Sequence, residues 1–533
     1  MAGTRRGTSP EMSGDPPVVD GSGAAPPAHL EPPTSPAAPG EGPAVPQVDD
    51  KVDARTAGSS FFWSAVSFTA SKLLVFLITL VMARLLVPED FGVVAVGLAI
   101  VAFLEVALDL GVGSALVYEQ ERGITRRVQT AFTLNIGIAA ACTLVGVLIA
   151  PVVADVFDVE DVALLRVLFL YFLLRGLVQV PDAVLRRDLL FRRRALVEVS
   201  RALTRGAVSI PLAATGAGPW ALVIGILASE LVGIVLTWIA VRFVPAFTLD
   251  RTIARTLLGF GSAVLSLKIL GAILENADYY IVGAELGTYA LGIYTLAFRV
   301  PEIVLANVFW IFSTVAFSIY ARARSRDMAD LRSAAMRALQ LITLFAFPAG
   351  VGMAVVSESV TVALLGWEWE EAATPMLFVA LSMAVSSIGY ASGDVFPAVG
   401  RPGLLIRIVL PMVVVKVTGL LIAAPHGLDA MAATLFGMSV VFASVRLTVA
   451  NRLLEVPTTT SLRTMAPGAI AALGAGLGAL PVVLVREPGA LTLVLAILGG
   501  VLGAAALLLL LCRPVLRELG DLLTSMRRAR AGS

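Results

Sequence analysis

The chain has 533 residues, 57% of them hydrophobic and 15% charged, with a mean hydropathy of +0.87 and a formal net charge of +1. Soluble domains carry roughly 25% charged residues, so composition excludes a soluble globular protein and points to an all-α integral membrane protein. Two cysteines in apolar runs, Cys142 and Cys512, and two histidines, His29 and His426, leave neither a disulfide framework nor a His/Cys zinc site. No cofactor and no nucleic-acid partner is expected.

Residues 1–56 are rich in Pro, Gly, Ala and acids, and the first aromatic is Phe61. Such a segment cannot bury enough apolar surface to fold and reads as a disordered cytoplasmic tail. Arg5 and Arg6 are followed by no apolar run, so it is not a signal peptide. The alternative use of the tail is docking of a polysaccharide-assembly partner.

From Ser59 onward, apolar runs long enough to cross ~30 Å of hydrocarbon recur. Their approximate limits are 60–86, 92–117, 128–153, 162–182, 196–214, 219–243, 257–283, 290–319, 333–356, 373–396, 404–424, 428–450, 465–485 and 490–512. The reading is therefore about fourteen transmembrane helices. Loops on the side of the N-terminus carry arginine, as at Arg122, Arg126 and Arg127, at Arg186 to Arg194, and at Arg322 to Arg332. The alternate loops carry acids instead: Glu89 and Asp90, then Asp155 to Asp161, then Glu358 to Glu371. Under the positive-inside rule both termini are cytoplasmic, in the cell membrane. No loop on either side is large enough for a soluble catalytic domain, and no Walker, HExxH or GxSxG motif occurs. An enzyme is not expected.

A repeat appears at an offset of 200. Leu86, Gly92 and Val93 align with Leu286, Gly292 and Ile293, each in a short turn between two long spans. Two six-helix lobes related by a pseudo-twofold axis follow, with a site between them, which is a common transporter plan. The expected boundaries are 57–245 for the first lobe, 246–455 for the second, 456–513 for two additional spans, and 514–533 for a basic tail.

The most informative stretch is Gly259 to Phe309, two apolar helices joined near Gly287. Lys268, Glu275, Asn276, Asp278, Arg299 and Glu302 lie inside it. An ionisable group at membrane depth costs ~2.5–3.5 kcal/mol on insertion scales, so each needs a partner or a watery cavity. Lys268, Glu275 and Asp278 share one helical face. Elsewhere Ser60, Ser64, Ser67 and Ser71 form a polar stripe beside Lys72, and Glu105 and Asp109 lie four apart. Arg175, Gln179 and Asp182 form another set, as do Ser386, Tyr390 and Asp394, while Glu230 and Lys416 sit mid-span. Singly, each reads as well as a structural pair or a small-residue packing seam. Together they point to a shared hydrated interior. Lys72, Arg175, Lys268, Arg299 and Lys416 could hold an anion such as a pyrophosphate. Glu105, Asp109, Glu275 and Asp278 could take a proton or a sodium ion. The basic stretch Leu185 to Arg201 reads as an anchor on anionic lipid, the acidic Asp155 to Asp161 as a solvated loop, and the glycines at 474–478 as close helix packing.

The segment Ser60 to Val117, with LVMARLLVPEDFGVVAVGLAIVAFLEVALDLGVGSALV, resembles the start of the polysaccharide transporters of the multidrug/oligosaccharidyl-lipid/polysaccharide superfamily, the Wzx-type flippases. ENADYYIVGAELGTYALGIYTLAFRV resembles the matching hairpin of their second lobe. The resemblance covers roughly 59–455. It implies alternating access around a cationic cavity and export of a polyprenyl-pyrophosphate-linked glycan. By position it makes Lys72, Arg175, Lys268 and Arg299 cavity cations, with Glu275 and Asp278 as second-lobe acids. The tail and the two extra spans depart from the simplest twelve-span pattern, which leaves open the layout of lipid II flippases. A cation-coupled drug exporter and a non-transporting envelope scaffold are the other readings.

Overall fold

The computed structural model describes residues 70–108, 124–188 and 190–513, without the side chains of 107, 124–125, 256–268, 270, 274–275, 310 and 402. Ser60, Ser64, Ser67, Asp109, both terminal segments and the side chains of Lys268 and Glu275 lie outside the described residues.

The described chain is helical, with no strand among the described residues. In order come α1 (Ala70–Ala83), α2 (Pro88–Leu108), α3 (Ile124–Val156), α4 (Val162–Leu168), α5 (Leu170–Arg187), α6 (Phe191–Ala214), α7 (Pro219–Val241) and α8 (Arg251–Pro301). A single π turn, Glu302–Ala306, leads into α9 (Asn307–Arg326). Then follow α10 (Met328–Val355), α11 (Ala373–Gly393), α12 (Pro402–Ala423), α13 (Leu428–Leu454), α14 (Thr458–Val485) and α15 (Ala490–Leu511). Ten helices among the described residues are long and apolar enough to cross a membrane. This bears out the all-α membrane fold without fixing the count at fourteen. α1 is described only from Ala70, and α6 carries five arginines, too many to pass on composition.

Local chemistry sets the helix ends. Asp161 and Asp250 each accept two backbone N–H bonds at the starts of α4 and α8, and Pro219 and Pro402 occupy first turns where a missing N–H costs nothing. Asp161 also accepts from the Trp220 indole at 2.9 Å, so part of the acidic loop serves as a cap and a tie. Gly287, at φ 84°, breaks α8 into two arms where the sequence places the turn. The left-handed conformation there suits a residue without a Cβ.

The first helices pack among themselves: α3 on α5, α5 on α7, and α6 on α7. Later helices do likewise: α10 on α11 and α14, α11 on α13, and α12 on α13. The two sets meet where α2 runs along α8. There the repeat acquires a physical meaning. A Cβ on Gly92 would collide with the Thr288 carbonyl, and one on Gly292 would collide with the Pro88 carbonyl. Residue 92 meets 288 while 292 meets 88, which is the reciprocal contact a local twofold axis generates. Glycine is required at both places because backbone touches backbone.

The same end of the molecule is closed by further cross-contacts. Arg84 donates to the carbonyls of Ala363 at 2.7 Å and of Val362 and Leu364 at 3.3 Å. These are carbonyls that a helix end leaves without partners. The fully buried Trp369 donates to the Ala83 carbonyl at 2.8 Å and meets Phe91 edge to face. One apolar cluster spans this end, from Phe91 and Val94 through Ile281 and Leu291 to Trp369 and Met376.

α14 lies against α10, and α15 lies against α14. Gly474 faces Gly503 and Gly478 faces Gly499 at backbone distance, as expected for the 474–478 glycines. The outer faces of both helices are bare hydrocarbon: Leu484 is 75% exposed and Leu502 69%. Such a belt belongs against lipid acyl chains.

Candidate functional site

Beneath the closed end, a cavity of about 380 Å³ lies between α1, α2, α5, α6, α7 and the second arm of α8. α1 contributes Ser71 and Lys72, and α2 contributes Leu98 and Glu105. α6 supplies Glu198, Arg201 and Arg205, spaced by three and four and so on one face. Glu230 comes from α7, and Arg299, Glu302 and Asn307 come from the chain leaving α8. The π turn brings that last group together. The Asn307 N–H bonds the Glu302 carbonyl five residues back, so residues 302 and 307 lie on one side. Pro301, which lacks an N–H, precedes the opened turn.

Most of the charges are paired. The Arg201 guanidinium donates to Glu230 and lies 3.6 Å from Glu198. Arg299 donates to Glu302 at 3.1 Å. Arg175 stands behind the wall and donates to Glu105, also at 3.1 Å. Arg205 makes neither a hydrogen bond nor an ion pair among the described residues, and its charged neighbours include Arg299 as well as Glu230. The Glu105 and Glu302 side chains are 35% and 40% exposed despite their position mid-helix. Water therefore reaches this interior, which removes most of the cost of holding charge at that depth.

Of the nine residues expected to form the site, four converge here. Lys72, Glu105 and Arg299 line the cavity, and Arg175 supports Glu105. Asp278 and Lys416 lie elsewhere, 2% and 8% exposed, paired with each other at 3.3 Å. Asp109 and the side chains of Lys268 and Glu275 lie outside the described residues. Asn276 folds its amide back onto the Ala272 carbonyl at 2.9 Å. Sequence reading missed Arg205, and it left Glu198 and Arg201 in the basic lipid anchor. The signal was the spacing of 198, 201 and 205, which carries a polar face beyond the basic loop into an apolar helix. The anchor itself is pinned by Asp182, which accepts from Arg194 at 2.9 Å and lies 3.3 Å from Arg186.

Residues 81–374, more than half of the chain, match the family described as polysaccharide biosynthesis protein. The chain belongs to this family. It is 27% identical over 306 residues to the teichuronic acid biosynthesis protein TuaB of Bacillus subtilis (strain 168), covering 57% of this chain and 63% of that one. It is 28% identical over 342 residues to the succinoglycan biosynthesis transport protein ExoT of Rhizobium meliloti (strain 1021), covering 63% and 67%. The lipopolysaccharide biosynthesis protein WzxC of Escherichia coli (strain K12) is 23% identical over 348 residues, covering 64% and 69%. The match thus spans just under two thirds of the length of TuaB and about two thirds of ExoT. Among solved structures, the lipid II flippase MurJ in an inward closed conformation superposes with a TM-score of 0.67 at 13% identity, over 85% of this chain and 99% of that one. An inward-facing multidrug resistance MATE family transporter of the MOP superfamily gives 0.58 at 15%, over 73% and 98%. These likenesses establish the fold.

Proposed function

We propose that this protein is a flippase that moves a polyprenyl-pyrophosphate-linked oligosaccharide, a cell-surface polysaccharide precursor, across the cytoplasmic membrane by alternating access. The arginine-bearing loops and both termini lie in the cytoplasm, so the closed end faces outward. The lobes are 57–245 and 246–455, followed by the pair at 456–513. The observation that carries this reading is Arg205, a guanidinium without a carboxylate of its own in a water-accessible cavity beside Arg299. A pyrophosphate supplies the missing counter-charge and suits the planar fork of arginine. Lys72 lines the same cavity. The cavity falls in the usual ~300–1,000 Å³ range of ligand pockets. It suits the charged linkage and its nearest sugar, with the polyprenyl chain left in lipid. The cavity acids Glu105, Glu230 and Glu302 are the groups through which a cation gradient would act.

A drug exporter would favour an aromatic, acid-dominated pocket. Here the lining has one aromatic residue, Tyr171, and as many cations as acids among the described residues. The deciding experiment titrates the full-length protein in detergent with a polyprenyl-pyrophosphate oligosaccharide and with the free polyprenol. Hydrogen bonds to charged groups are worth about 1.5–3 kcal/mol, so Arg205→Ala is expected to weaken binding of the pyrophosphate lipid about tenfold or more. Binding of the polyprenol should be unaltered. Equal affinity for both lipids in the wild type, or no loss in Arg205→Ala, would refute the assignment.

A further inference from the structure

Apart from the cavity, the described interior holds a charged set that is dry. The Lys416 ammonium on α12 lies 3.3 Å from one Asp278 oxygen on the first arm of α8, and the Tyr294 hydroxyl donates to the other oxygen at 2.8 Å. Asp278 is 2% exposed, Lys416 8% and Tyr294 1%. Tyr279, Tyr294 and Phe298 pack their rings together beside it. Lys416 from α12 and Tyr279 and Tyr294 from α8 are titratable side chains that face Asp278. None of the four lines the cavity.

Both oxygens of this carboxylate are therefore engaged, one of them by a cation that is covalently part of the chain. A buried carboxylate without a counter-charge takes up a proton, or a small cation if oxygens surround it. We infer that Lys416 is a built-in counter-cation that occupies the position a proton or sodium ion would otherwise take on Asp278. The site is then closed to exchange, and any cation cycle runs through the exposed cavity acids. The inference concerns regulation of the proposed transport. Its readout below is protein stability without cargo, so it can fail while the cargo assignment stands, and the reverse.

The experiment follows thermal unfolding of the full-length protein in detergent, in NaCl and in KCl at equal ionic strength, between pH 5 and pH 8. The variants are Lys416→Met, Asp278→Asn and the Lys416→Met/Asp278→Asn pair. The wild type is expected to unfold at the same temperature in both salts. In Lys416→Met, the abandoned Asp278 carboxyl is buried without a counter-charge, which favours its neutral form. Its stability is then full at low pH and is lost as pH rises. This variant should unfold several degrees lower at pH 8 than at pH 5, or gain stability specifically from Na⁺. The double variant, having no carboxylate, should lose both effects. A sodium-specific rise in the wild type that disappears in Asp278→Asn would overturn the inference, because Asp278 would already exchange cations. It would also be overturned if Lys416→Met followed the double variant at every pH and in both salts. Should Lys416→Met not fold, the wild-type salt comparison decides alone.

Discussion

At the scale of single residues, the cavity holds paired charges beside Arg205, which makes no ion pair among the described residues. Arg201 and Glu230 are the most enclosed of these pairs, with side chains 15% and 5% exposed. Removing one member of a buried pair leaves a charge without a partner and typically costs ~3–5 kcal/mol. Glu230→Ala should therefore lower the unfolding temperature markedly, and adding Arg201→Met should restore part of it. Arg205 has no such partner, so Arg205→Ala should leave unfolding nearly unchanged while weakening binding. That separation, read from melting curves and titrations of the same two variants, distinguishes a supporting pair from a cargo contact. At the closed end, burial pushes the Asp90 carboxyl above the usual aspartate value, although the Val87 N–H opposes this and Glu89 adds to it. A raised folded pKa means the stabilisation is present at low pH and fades as pH rises. Asp90→Asn should then flatten the acid side of the stability curve.

At the scale of elements, the hairpin around Gly287 and the glycines at 474–478 were legible, because a turn residue and a small-residue stripe leave local marks in sequence. The π turn at Glu302–Ala306 was not legible. It shifts the register by one residue without changing hydropathy, yet it decides that Asn307 joins Glu302 in the cavity. Nor was the Arg84 contact legible, since a bond between residues 84 and 363 has no local trace. The reciprocal glycines give this level its prediction. Gly92→Val places a side chain against the Thr288 backbone and should hold the closed end apart. The readout uses Leu98→Cys, which places a thiol in the cavity, with Cys142 and Cys512 replaced by Ala. An impermeant thiol reagent added at the Arg84 end should label this cysteine severalfold faster once Gly92→Val is present. Equal labelling would mean that the glycine contact does not control closure.

At the scale of the whole molecule, composition and charge alternation were enough for a polytopic helical membrane protein, because insertion into lipid depends on length and hydropathy alone. The site was legible only in part. Intramembrane charge marks which residues need an explanation, but the choice between cavity and dry pair depends on which helices become neighbours. Arg299 went to the cavity and Asp278 to Lys416, although both sit in the same hairpin. The central claim is that the cations of this cavity carry a pyrophosphate-linked glycan between leaflets. The most direct measurement is flipping of a labelled polyprenyl-pyrophosphate oligosaccharide in proteoliposomes, compared at equal amounts of folded protein. Wild-type protein should move the lipid, and an Arg205→Ala/Arg299→Ala pair should lose most of that rate. Undiminished flipping by the pair, or no flipping by the wild type of any pyrophosphate-linked glycan offered, would contradict it.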